Sequence, residues 1–101
     1  MDAYRAVMVQ YGDRDKQIWA TEFGWPVDTG GMCGNSPCHP AGQFNSREVV
    51  ADYYVRAYQW AKAQGWVGVM FAWQLDFSGG EVGAFRIEGA PAFGKLQSMP
   101  K

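Results

Sequence analysis

The chain has 101 residues, with nine Lys or Arg, ten Asp or Glu and a formal net charge of −1. Charge so balanced and scattered offers no basic stripe for phosphates and argues against a nucleic-acid partner, and no run approaches the ~20 apolar residues of a membrane span. The length suits one small domain, residues 1–101, yet 16% of it is aromatic, more apolar area than so thin a core readily hides, so surface use or self-association is expected.

The opening "MDAYRAVMVQYGDRDK" lacks the basic-then-apolar layout of a secretory signal, so the compartment stays open between an internal protein and a mature or truncated product. Residues 2–11 read as a helix with Tyr4, Val7, Met8 and Tyr11 on one face, stopped by Gly12. "GDRDK" is a polar turn, and residues 17–23 form a first strand. Two-residue alternation puts Ile18, Ala20 and Glu22 on one face and Trp19, Thr21 and Phe23 on the other. Glu22 is the sole charge of that strand and sits at its end; an ordinary strand-end carboxylate in solvent or a salt bridge is the bland alternative to a functional one.

Residues 26–45 hold Pro, Gly, Asn and Ser without periodicity and read as a long loop, a length that is uncommon and often functional. Within it, Cys33 and Cys38 stand in a C-x4-C spacing that suits a disulfide closing a tight loop, which hints at a secreted origin; reduced thiols are the alternative. With only His39 nearby a four-ligand zinc site is not expected, and His39 itself reads as a solvated loop residue.

A second helix starts at "NSREVV", with Asn45 as cap and Glu48 closing a capping box, and runs to about Gln64 before Gly65. "WVGVMFAWQL", residues 66–75, is a second strand whose apolar run suggests cover on both faces. In it Trp73 ends the row Val67, Val69, Phe71, with Gln74 and Asp76 beyond it; core filling is the common fate of such a Trp. "DFSGGEVG" is a Gly-rich loop carrying Glu81, and residues 91–99 form a last short helix. Strands alternating with helices predict a parallel α/β arrangement with right-handed crossovers. Long, chemically loaded loops after both strands, and short turns before them, point to a (β/α) barrel whose site lies at the strand C-termini. Two parallel strands with flanking helices amount to about a quarter of such a barrel.

"IWATEFGW" followed by "GVMFAWQLDFSG" resembles the last two strands of retaining (β/α)8-barrel glycoside hydrolases of the cellulase-like and β-xylosidase-like clan. The resemblance spans nearly the whole chain, with "EVGAFRIEGAPAFGKLQ" similar to the closing loop and last helix. It implies that Glu22 is the catalytic nucleophile and that Trp73 floors the sugar site. Gln74, Asp76 and Trp25 would be substrate contacts, and the peptide after Trp73 is one that is often cis in those enzymes. Its partners would be an oligo- or polysaccharide or a small glycoside, and the reading calls on no cofactor and no metal.

Retaining hydrolysis needs a second carboxyl about 5–5.5 Å from the nucleophile. In the resembled enzymes it lies in an Asn-Glu motif on the fourth strand, and this chain has no such pair. Asp76 and Glu81 are the substitutes within the chain. Four copies would together supply the eight strands of a barrel, so completion by self-association into a homo-oligomer is expected. A protein of another class is the alternative: one that binds carbohydrate through exposed aromatics, or serves as a structural, oligomerising fragment, without cleaving a bond. Nothing supports a Ser-His-Asp site or a phosphate loop, since the G-x-S-x-G turn and the Lys that these require are missing.

Overall fold

A computed structural model describes residues 1–27, 32–33, 36–37, 45–77 and 80–100. In chain order these form α1 (Asp2–Gln10), β1 (Ile18–Phe23), β2 (Met32–Cys33), β3 (Ser36–Pro37), α2 (Arg47–Gln64), β4 (Val67–Ala72), a 3₁₀ turn (Gly80–Phe85) and α3 (Pro91–Ser98). β1 and β4 pair in parallel, as the alternation of strands and helices predicts, and β2 and β3 make a separate antiparallel hairpin inside the segment expected to be a loop.

The parallel pair joins Ile18 to Val67, Ala20 to Met70 and Phe23 to Ala72, with a register shift between each of these steps. The shifts undo simple alternation. Ala20 is buried and Phe23, three residues on, packs against the core, while Glu22 between them is exposed. Ala20 and Glu22 therefore do not share an environment, contrary to the two-residue pattern, because an irregular ladder breaks the period it assumes. β4 behaves likewise: Val67 is buried, whereas Val69, Phe71 and Trp73 are exposed. The second strand is thus covered on one face, not two, because α2 and α3 pack together and α2 lies against β4, leaving Trp19 (60% exposed) and Phe71 (53%) uncovered.

The core lies between that covered face and the helices. Val27, Val50, Ala51, Tyr54, Ile87 and Ala92 form it, with Phe23, Trp25, Ala72 and Leu96 against its edge. α2 begins at Ser46, whose hydroxyl accepts a hydrogen bond from the Val49 amide at 3.2 Å. Ser46, not Asn45, is the cap; Asn45 instead forms a parallel bridge with Val27. At the other end Gly65 takes a left-handed conformation (φ 69°), which glycine adopts without a Cβ penalty. α3 opens with Pro91, suited to a first-turn position with no amide to satisfy, and Lys95 forms an ion pair with Asp52 of α2.

α1 contributes no buried residue, and Tyr4, Val7 and Tyr11 on its predicted apolar face are exposed. It is tethered by Arg5, whose guanidinium donates to the carbonyls of Lys16 (2.9 Å) and Arg14 and stands 5.6 Å from the Trp66 ring centroid. No described helix is long and apolar enough to cross a membrane.

Tyr54 is wholly buried, and its hydroxyl donates to the Trp73 carbonyl at 2.7 Å. Burial pushes the phenol pKa up to about 12 from 10.0, against the pull of the Trp25 backbone amide, and the neighbouring Tyr58 adds to the rise. Ionisation is harder in the fold than in the unfolded chain. The stability that the neutral phenol contributes is therefore fully present below about pH 10 and is lost as pH rises through about 12. Tyr58, also raised by burial, adds to the same alkaline loss. Urea unfolding followed by far-UV ellipticity should show Tyr54→Phe less stable by about 1–3 kcal/mol at neutral pH, with a shallower decline in the alkaline range than the parent.

Candidate functional site

The C-terminal ends of β1 and β4 are brought together by a backbone bond. The Trp73 amide donates to the Phe23 carbonyl at 2.7 Å, so Glu22, one residue before that carbonyl, and Trp73 stand at the same end of adjacent strands. Both are exposed, Trp73 by 38%. Glu22 makes no hydrogen bond or ion pair with the described residues.

The close approach of the two strand ends depends on Gly24. A Cβ there would overlap the Trp73 carbonyl oxygen and lie 2.6 Å from the Tyr54 hydroxyl, so no side chain fits between strand end and helix. The Trp73–Gln74 peptide is cis, the geometry that the resemblance leads one to look for. Beyond it the chain is stitched to the end of the 3₁₀ turn and the residues that follow: Gln74 donates its amide to Phe85 (3.2 Å), Ile87 donates to Gln74 (3.0 Å) and Glu88 to Leu75 (2.9 Å). Val27, after β1, donates to Ala84 at 2.9 Å. One return segment therefore fastens the loops that follow both strands.

The other candidate contacts are distributed differently. Gln74 is buried, its Nε2 donating to the Phe77 carbonyl at 2.6 Å and its Oε1 accepting from the Phe77 amide at 2.5 Å. Its side chain closes a turn of its own loop. Asp76 is exposed and paired with Arg86, whose Nε is 2.9 Å from Oδ1, while the same guanidinium bonds Glu88. The hydrogen bond from Arg86, followed by one with Asp76, lowers the Glu88 pKa. Bonding to Glu88 and the charge of Asp76 raise that of Arg86. Trp25 turns to α2: its ring meets those of Phe23 and Tyr54 edge-on at 5.9 and 5.3 Å and is tilted over Tyr53 at 5.4 Å. Glu81 belongs to the 3₁₀ turn, and its side chain lies outside the described residues, as do Cys38 and His39. Cys33 ends β2, and the proposed Cys33–Cys38 pairing thus falls outside what is described.

Three residues that shape this end escaped the reading by pattern. Tyr54, Gly24 and Arg86 belong to no motif that sets them apart from their neighbours in the sequence. Their roles arise from contacts 19 residues apart in the case of Tyr54 and Trp73, which local spacing does not encode. Among the described residues no cluster of three His, Cys, Asp or Glu is placed to hold a metal ion. Compared with protein-family models, curated proteins and solved structures, the chain matches none.

Gly24 and Gly94 make a controlled pair, because a Cβ at Gly94, in α3, meets nothing within 4 Å. Urea denaturation should find Gly24→Ala destabilised by about 3 kcal/mol through overlap with backbone. Gly94→Ala should be stabilised by roughly 0.5–1 kcal/mol through helix propensity alone.

Proposed function

We propose that this chain is the last two βα units, about a quarter, of a retaining (β/α)8-barrel glycoside hydrolase. Glu22 is its nucleophile and Trp73 its sugar platform. The observation that carries the reading is the placement of Glu22 and Trp73 at the shared C-terminal end of two adjacent parallel strands, with the carboxylate unengaged by the described residues. In a (β/α) barrel that end is where catalytic groups collect. A ring such as Trp73 offers a flat apolar face to the C–H side of a sugar, and Glu22 would attack the anomeric carbon to form a glycosyl-enzyme intermediate that water then hydrolyses.

The acid/base is the missing half. Asp76 is committed to Arg86, so within one copy it is held as an ion-pair partner. A second carboxyl must come from Glu81 or from another chain. The free edges of β1 and β4, each paired on one side only among the described residues, and the uncovered row Trp19, Val69, Phe71 and Trp73 favour association with further strands. In this proposal copies of the chain assemble through those edges into a more complete barrel.

A second reading, oligosaccharide binding without cleavage, is favoured by one observation: the exposed Trp73 stands at the same strand end as a carboxylate that has no partner among the described residues. Glu22 would then accept hydrogen bonds from sugar hydroxyls.

The test is hydrolysis of an aryl glycoside, with solution mass measured in parallel. The expected result is weak activity that disappears in Glu22→Gln, a loss of at least about 10³-fold, and that falls on dilution as the assembly dissociates. Activity unchanged by that substitution removes the nucleophile assignment. Oligosaccharide-induced change in Trp fluorescence without release of reducing sugar selects the binding reading instead.

A further inference from the structure

Away from the strand ends, a groove of about 410 Å³ follows one flank of α2, lined by Trp25, Tyr53, Arg56, Ala57 and Trp60. Neither Glu22 nor Trp73 borders it. Its volume lies within the ~300–1,000 Å³ of small-molecule sites. Residues 53, 56, 57 and 60 recur at helical spacing, so their side chains share one side of α2. Ala57, the smallest of them, leaves the space between the rings.

The walls are held before any ligand arrives. Trp25 is fixed edge-on by Phe23 and Tyr54 and tilted against Tyr53. Trp60 is braced edge-on by Trp66 at 5.7 Å. Rings positioned in this way lose little freedom on binding. The charge is equally specific. Among the described residues Arg56 is the groove's single charged lining residue, and it has no ion pair or cation–π partner there. Asp52, one helical turn earlier, is occupied by Lys95.

We infer that this groove binds an aryl carboxylate, its ring between the Trp25–Tyr53 wall and Trp60, its carboxylate on the Arg56 guanidinium. A planar fork of donors matches a carboxylate in a way that a neutral hydroxyl does not, and aromatic walls favour a flat apolar body. A saccharide suits the groove less well, since apart from Arg56 and Tyr53 its lining offers only the indole N–H groups of two Trp to several hydroxyls. The inference does not rest on the glycosidase reading.

Two-dimensional amide and indole NMR of the full chain, titrated with 2-naphthoate and with neutral 2-naphthamide, tests it. Shifts should concentrate on the Trp25 and Trp60 indoles and on residues 53–60, with affinity on the order of 0.1–1 mM. Arg56→Gln should weaken naphthoate about fivefold and leave the amide unchanged, because only the charge-assisted bond is lost. Trp60→Ala should weaken both ligands, and Trp73→Ala neither. Far-UV ellipticity confirms that each variant is folded; Arg56 is exposed, so its substitution tests binding without unfolding the chain. The inference is overturned if the amide binds as tightly as the acid, if shifts gather instead on Trp19 and Phe71 of the open sheet, or if nothing shifts at about 5 mM ligand.

Discussion

The hydrogen bond from the buried Tyr54 hydroxyl to the Trp73 carbonyl is the contact on which the rest of the architecture turns. A phenol taken fully out of water must find a partner or cost a few kcal/mol, so α2 can settle on the sheet only where that carbonyl is presented. Presenting it requires the end of β4 to lie beside the end of β1, which the Trp73 amide secures by bonding Phe23. It also requires Gly24, since any side chain there would occupy the space of the phenol and the carbonyl together. The ring contacts follow: Phe23 meets Tyr54 at 5.5 Å and Tyr58 at 5.2 Å, while Trp25 closes on Tyr54 from the other side. Helix, strand ends and the positions of Glu22 and Trp73 are consequences of one satisfied polar group in an aromatic cage.

That cage serves only one face of the sheet. An isolated two-stranded sheet is marginal in water, and here α2 and α3 supply the cover that keeps it together. The opposite face keeps Trp19 lying over Gly68, where any Cβ would strike the indole, alongside Val69, Phe71 and Trp73. An exposed, largely aromatic set beside strand edges that are unpaired among the described residues is the kind of surface that further strands would extend. On the proposed reading, the same row would offer a flat ring face to a sugar at its C-terminal end. On the proposed reading, association and carbohydrate recognition would compete for neighbouring parts of one surface, and Trp73 would belong to both.

Much of the frame was legible because it rests on local chemistry. Gly65 marks the end of α2, Pro91 the start of α3, and the parallel pairing of the two strands follows from the helix between them. Alternation failed where the ladder is irregular. The register shifts between Ile18 and Phe23 put Ala20 and Phe23 toward the core and Glu22 outside it, and no residue type in "IWATEF" announces them. The cap moved by one residue because Asn45 and Ser46 are both competent, and the bridge from Asn45 to Val27 left Ser46 to accept the Val49 amide. The return of residues 84–88 across both strand ends is carried by backbone amides, which have no signature in side-chain pattern.

Geometry also limits what copies of this chain can do for one another. Strands in a sheet lie about 4.8 Å apart, and edge-to-edge addition of identical chains would alternate β1 and β4. Successive Glu22 residues would then start about 10 Å apart, two strands from each other, and converge only as far as barrel curvature and side-chain tilt allow. That range approaches the ~6.5–9.5 Å of inverting carboxylate pairs and exceeds the ~5–5.5 Å that retention requires. A Glu22–Glu22 pair in a rebuilt ring is thus poorly matched to a retaining mechanism. The closer spacing needs a carboxyl on a strand of different sequence, or one carried inward by a loop such as that bearing Glu81. On the proposed retaining reading, the acid is therefore to be sought on a loop such as the one bearing Glu81 or on a strand of different sequence, and not on a second Glu22.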